Sequence, residues 1–154
     1  PNSFGHYLLG HAAGFDRDAQ RLREAYAFSV HAVGLSLGST GGLDEDHLAR
    51  VATLVKRLDS AYVSDHLSWS VHGGRYYNDL LPLPYNADTL RRVCAHIDQV
   101  QDRLGRRLLL ENPSTYVEFV SSTMDEATFL AEVVRRDLDH RGRLIRAANI
   151  KPES

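Results

Sequence analysis

Apolar positions recur at helical spacing in four stretches of the chain and concentrate into strand-like runs in three others. In FDRDAQRLREAY (15–26), Phe15, Ala19, Leu22 and Tyr26 share one side of a predicted helix. AFSVHAVGLSLGS follows, with Phe28, Val30, Val33 and Leu35 as strand-like content before a glycine-rich turn. LDEDHLARVATLVKRLD is the clearest helix: Leu48, Val51, Val55 and Leu58 form a stripe, and acids crowd the first turn, where the helix dipole favours them. AYVSDHLSWS predicts a single strand. In VHGGRYYNDLLPLPYN the Gly-Gly pair and two prolines argue against long regular structure. ADTLRRVCAHIDQVQDRLG is again helical, with Leu90, Val93, Ile97, Val100 and Leu104 on one side and Gly105 as its stop. RRLLLENPS is a short apolar strand ended by Asn-Pro. Thr123 and Glu126 have capping-box spacing ahead of MDEATFLAEVVRR, where Ala127, Leu130 and Val134 share a face.

One helix, then strand–helix three times, argues for parallel strands covered by helices. Both an open doubly wound sheet and a (β/α) barrel satisfy that order. Heptads, low-complexity segments and a second-domain linker are missing, so residues 1–154 read as one domain.

Composition narrows the class. The 154 residues are 43% apolar and 25% charged, with a net charge of −2, which fits a globular protein and gives neither a nucleic-acid footprint nor a polybasic membrane patch. Cys94 is the sole cysteine, so no internal disulfide can form and a reducing cytoplasm is the expected setting. No apolar run reaches the ~18 residues of a membrane span. The opening PNSFGHYLLGHAAG lacks both a signal-peptide pattern and an initiator Met, and the chain reads as processed or as a fragment.

The candidate chemistry lies where the strands end. His31 belongs to the first, Asp65 and His66 to the second, Glu111 and Asn112 to the third. Parallel α/β folds build sites at the carboxyl ends of strands. Imidazole with carboxylate suits Fe, Mn or Zn, whereas an all-oxygen set would suggest Mg or Ca. Glu111 directly after three leucines is costly if buried and unpaired. Asp65 alone could cap a turn. GLSLGSTGG has neither the dinucleotide fingerprint nor a P-loop lysine. His6, His11, His47, His96 and His140 read as solvent-facing, and His72 stays of interest because it closely follows the Asp-His strand. Cys94 reads as a small core residue, and Ser64, Ser68 and Ser70 show no nucleophile elbow.

At these residues the sequence resembles a known family. SVHAVGLSLGS, YVSDHLSWS, GGRYYNDLLPLPY, QDRLGRRLLLENPSTYV and STMDEATFLAEVVRR are similar, in order, to blocks of the multinuclear non-haem iron-dependent oxidative enzymes, which include the methanobactin-biosynthesis oxidase. The resemblance runs from about Phe15 to Arg136. It implies a TIM-type barrel of the xylose-isomerase-like group with two or three irons. It further implies O2-dependent modification of cysteines in a ribosomally made peptide, and a partner protein that presents the peptide. By the same resemblance His31, Asp65, His66 and Glu111 are metal ligands, Asp65 or Glu111 bridges ions, and Asn112, Asn78 and Asp79 line the site.

A full barrel takes roughly 200 residues or more, so the expectation here is an incomplete barrel with a divergent or truncated tail over 137–154. It would hold at most one iron, and its uncovered surfaces favour a homodimer. The competing readings are a divalent-metal sugar isomerase or phosphodiesterase on a related barrel, and a non-catalytic remnant.

Overall fold

A computed structural model describes Phe15, Arg17, residues 29–113 and residues 116–147. Most of the predicted first helix, with His6 and His11, lies outside the described residues. The strands are β1 (Ser29–His31), β2 (Tyr62–His66), β3 (Trp69–His72), β4 (Arg75–Leu81) and β5 (Leu108–Glu111); the helices are α1 (Glu45–Leu58), α2 (Ala87–Leu104) and α3 (Glu126–Ala147). β1, β2 and β5 form a parallel sheet in the order β1-β2-β5, and β3 and β4 form an antiparallel hairpin. The result is a mixed α/β fold in which a parallel sheet is backed by helices, as the element order implies.

Caps delimit the first two helices. The Asp44 carboxylate accepts from the His47 N–H at 2.8 Å and the Asn86 side chain from the Thr89 N–H at 3.0 Å. Gly105 ends α2 at φ 65°, a left-handed conformation that glycine adopts without penalty. The predicted stripes point inward except at Leu58, which is 37% exposed at the end of α1. Leu48, Val51 and Val55 of α1, with Leu90, Val93, Ile97 and Val100 of α2, join Val30 and Val63 of the sheet in one core. Residues alternate across a strand, so the opposite face carries Tyr62 and Leu109, 59% and 52% exposed, together with His31, Ser64, His66 and Glu111.

Several predictions need correction. The strand expected over 61–70 breaks at Leu67 and Ser68. Leu67 N–H is drawn to the Glu111 carbonyl at 2.7 Å and the Ser68 carbonyl to Gly38 N–H at 2.9 Å, so the chain leaves the parallel sheet and starts the hairpin. The segment expected to lack long structure contains the seven-residue β4. Its Gly73 and Gly74, at φ 57° and 75°, make the tight two-residue loop between β3 and β4 rather than disrupting the segment. The first strand is only three residues long, and Leu35 and Leu37 bury themselves from the loop beyond it. The Thr123–Glu126 capping box does not form. Thr123 N–H donates to the Tyr85 carbonyl, and Asp125 instead accepts from the Thr128 N–H at 2.7 Å. The inward side of α3 is set by Phe129 and Val133, leaving Val134 58% exposed, and the helix continues past Arg136 to Ala147.

Cys94 lies half-buried beside the groove between α2 and α3. Burial pushes its thiol up from the ordinary value; Arg136 opposes that, while Asp98, Asp137 and Glu132 reinforce it. A raised value means less thiolate at neutral pH, and the thiolate is the reactive form. Alkylation by iodoacetamide at pH 7.5 is therefore expected to be several-fold slower than for free cysteine, and to accelerate as pH rises. A rate equal to that of free cysteine would contradict the packing of α2 on α3.

Candidate metal centre

The parallel register places the strand ends side by side. His31 pairs across with Ser64, and His66 with Glu111. Strand alternation sends Ser64 and His66 to the open face of the sheet and Asp65 to the helix-covered face. His31, His66 and Glu111 consequently converge at the carboxyl edge, with one ligand atom from each within 4.8 Å of the others. The two Nε2 atoms stand 2.8 Å apart, with the rings at 82° and centroids 4.5 Å apart. Glu111 Oε2 is 3.7 Å from His31 Nε2 and 3.8 Å from His66 Nδ1. The His66 side chain is only 12% exposed, whereas the Glu111 carboxylate is 59% exposed.

His31 Nδ1 lies 2.8 Å from Ser64 Oγ. When Nδ1–H donates to that hydroxyl, Nε2 carries its lone pair into the cluster, the arrangement that a ligating histidine needs. His66 Nδ1 is buried and, among the described residues, has no hydrogen-bond partner. Two ligands each about 2.0–2.2 Å from one ion lie no more than ~4.4 Å apart, so the three groups fit a single divalent ion after a small contraction. Two imidazoles and a carboxylate are the donor set of the facial triad of non-haem iron sites.

Asp65 does not join these three. Its carboxylate is 1% exposed and accepts from the Leu35 N–H at 3.1 Å and from the His66 N–H at 2.7 Å. Burial pushes its carboxyl up to about 7, against the lowering effect of the two N–H bonds. In this geometry Asp65 braces the loop after β1 and the backbone beneath His66.

The remaining sequence-predicted residues lie outside the triad. Asn112 Nδ2 donates to Glu126 Oε1 at 2.5 Å, which ties the end of β5 to the start of α3. Asp79 accepts from the Tyr116 hydroxyl at 3.3 Å, and Asn78 helps line a shallow cavity of about 390 Å³ with Val33, two residues beyond His31. His72 lies outside the triad, with Nδ1 3.3 Å from Thr40 Oγ1. His47 is not solvent-facing: its Nε2 is buried against Gly34. His96 Nδ1 donates to the Leu37 carbonyl at 2.8 Å.

Two contributors escape sequence reading. Ser64 orients His31, and its signal is its place two residues before His66 in a strand, which gives the two a common face. Ser36 is 4% exposed, and its hydroxyl accepts from the Ser70 and Val71 N–H groups, so it anchors the hairpin beside the site.

Residues 6–138 match the model of the family described as RiPP precursor modification enzyme MbnB/TglH/ChrH. The chain is similar to curated proteins named UPF0276 protein. One from Paraburkholderia phytofirmans is 56% identical over 114 residues, covering 74% of this chain and 37% of its own length. One from Bordetella pertussis is 57% identical over 115 residues, covering 75% and 40%. One from Vibrio vulnificus is 47% identical over 136 residues, covering 88% and 43%. The chain thus spans about two fifths of the length of the relatives it matches, and the family match over residues 6–138 includes every residue of the triad. The chain belongs to the MbnB/TglH/ChrH family of RiPP precursor modification enzymes.

Proposed function

We propose that this chain contributes the core of a metal-dependent oxidase that modifies cysteine residues of a ribosomally made precursor peptide, with iron as the metal. The observation that carries the reading is the convergence of His31, His66 and Glu111 at the carboxyl edge of a parallel sheet, in a member of a peptide-modifying family. The two imidazoles supply neutral nitrogen ligands, and Glu111 supplies the negative charge that favours a divalent ion. Ser64 fixes the His31 ring, and Asp65 holds the backbone of His66 through its N–H. Bound iron would supply redox chemistry with O2 as the oxidant. Asn78 and Asp79 are assigned to the mouth, where the peptide enters.

In the whole protein the open face carrying Tyr62 and Leu109 becomes the interior of a (β/α) barrel, which supplies ligands for one or two more irons. A partner protein presents the peptide, and a cytoplasmic setting keeps the thiols reduced. Within the 154 residues, pairing of two chains through the same face is the alternative cover for it. No described helix is long and apolar enough to cross a membrane.

Anaerobic Fe(II) loading followed by elemental analysis tests the metal site. About one iron per chain is expected, the number that a single three-residue triad can hold, and His66→Ala should lose it. Two or more tightly held irons, or an unchanged iron content in His66→Ala, would refute this assignment.

A further inference from the structure

Strand β3, the segments at Gly38–Thr40 and Leu83–Pro84, Arg92 of α2 and Phe119 line a second cavity, of about 270 Å³. Trp69, Val71, Leu83 and Phe119 make its walls mostly apolar, and Arg92 and His72 line it without any carboxylate among the described residues. Arg92 is held in place: Nε donates to the Gly38 carbonyl and Nη2 to Thr89 Oγ1, each at 3.3 Å. Among the described residues it forms no ion pair, which leaves part of its donor fork for an anion. Gly38 is fixed in turn, because an added Cβ would overlap Leu83. The volume is just below the roughly 300–1,000 Å³ of typical small-molecule pockets, so it suits one amino-acid residue better than a cofactor. Trp69 follows His66 by three residues, so the backbone that carries one wall of the cavity lies within ~11 Å of the end of β2.

The geometry points to a subsite for the C-terminal residue of a peptide, with its carboxylate on Arg92 and its apolar side chain between Trp69 and Phe119. A carboxylate and an apolar side chain on one residue occur together only at a peptide C-terminus; internal Asp and Glu bring the charge without the apolar body. The charge-assisted bond gives orientation, and the aromatic walls give area. That the occupant is a peptide rests on the function proposed above; the pairing of anion and apolar group rests on the cavity itself.

Trp69 is the chain's single tryptophan, so its fluorescence reports on this cavity alone. The test titrates the metal-free chain with acetyl-Gly-Gly-Phe, with its C-terminal amide and with 3-phenylpropionate. A saturable change in emission is expected, with the acid bound about tenfold or more tighter than the amide, as a charge-assisted bond provides. Arg92→Gln should erase that preference while keeping native helicity by circular dichroism. Equal binding of acid and amide, no saturable response, or an undiminished preference in Arg92→Gln overturns the subsite. Binding of 3-phenylpropionate as tight as that of the peptide overturns the peptide C-terminus as its occupant. The acid–amide comparison needs no variant, so a poorly folding Arg92→Gln does not shield the proposal. Iron content is measured separately: peptide binding lost with iron retained removes this subsite alone, and the converse removes the metal centre alone.

Discussion

Replacing Asp65 with alanine is expected to destabilise the chain by roughly 2–5 kcal/mol, because each buried donor left without its partner costs about 1–3 kcal/mol. The carboxylate is 1% exposed and accepts both the Leu35 and the His66 N–H groups. Asp65→Asn should do less harm, since the amide oxygen can keep one of the two bonds. The same change loosens the backbone under His66, so iron affinity should fall about 10–100-fold in any Asp65→Ala protein that still folds, the usual cost of removing support behind a ligand. Urea denaturation of both variants measures the first effect, and Fe(II) titration the second. A cost below about 0.5 kcal/mol for Asp65→Ala would mean that the acid does not hold this bracing position.

Phe129→Ala should be the most damaging apolar truncation, at about 3–5 kcal/mol. The ring is fully buried, stands 5.0 Å centroid to centroid from Tyr85, and docks α3 on the loop that follows β4. Tyr85 also receives the Thr123 N–H through its carbonyl, so the contact joins both flanks of the α2–β5 unit to α3. Phe129→Leu should recover most of the loss. Thermal unfolding followed by circular dichroism would show this as a large drop in Tm for the alanine variant and a small one for leucine. Equal, small shifts would place α3 off the core.

Periodicity located α1 and α2 well because their stripes are long and their ends are marked by Asp44, Asn86 and Gly105. It placed the inward side of α3 only in part: Leu130 packs against the core as expected, but Phe129 and Val133 lie deepest while Ala127 and Val134 are exposed, a rotation that contacts such as Phe129 with Tyr85 decide. The strand pattern could not show the break after His66, because Leu67 and Trp69 keep the alternation going while the chain changes sheets. The cluster was legible for a simple reason: polar groups at the ends of three parallel strands converge whenever the strands are neighbours, and β1-β2-β5 are. The Asp65–His66 pair shows the limit. Adjacent residues in a strand cannot face the same way, and the decision as to which one joins the cluster lies with the register, not with the residue types.

That alternation also constrains how such a chain can drift. β2 must keep one group dry beneath the helices and the next one reachable, so a single inserted or deleted codon within Tyr62–His66 would exchange their surroundings, stranding an imidazole in the core and a carboxylate on the open face. Substitutions can accumulate along this strand one at a time; changes of length cannot, and must fall instead in connections such as the tip at Gly73–Gly74, where an added Cβ meets nothing within 4 Å among the described residues.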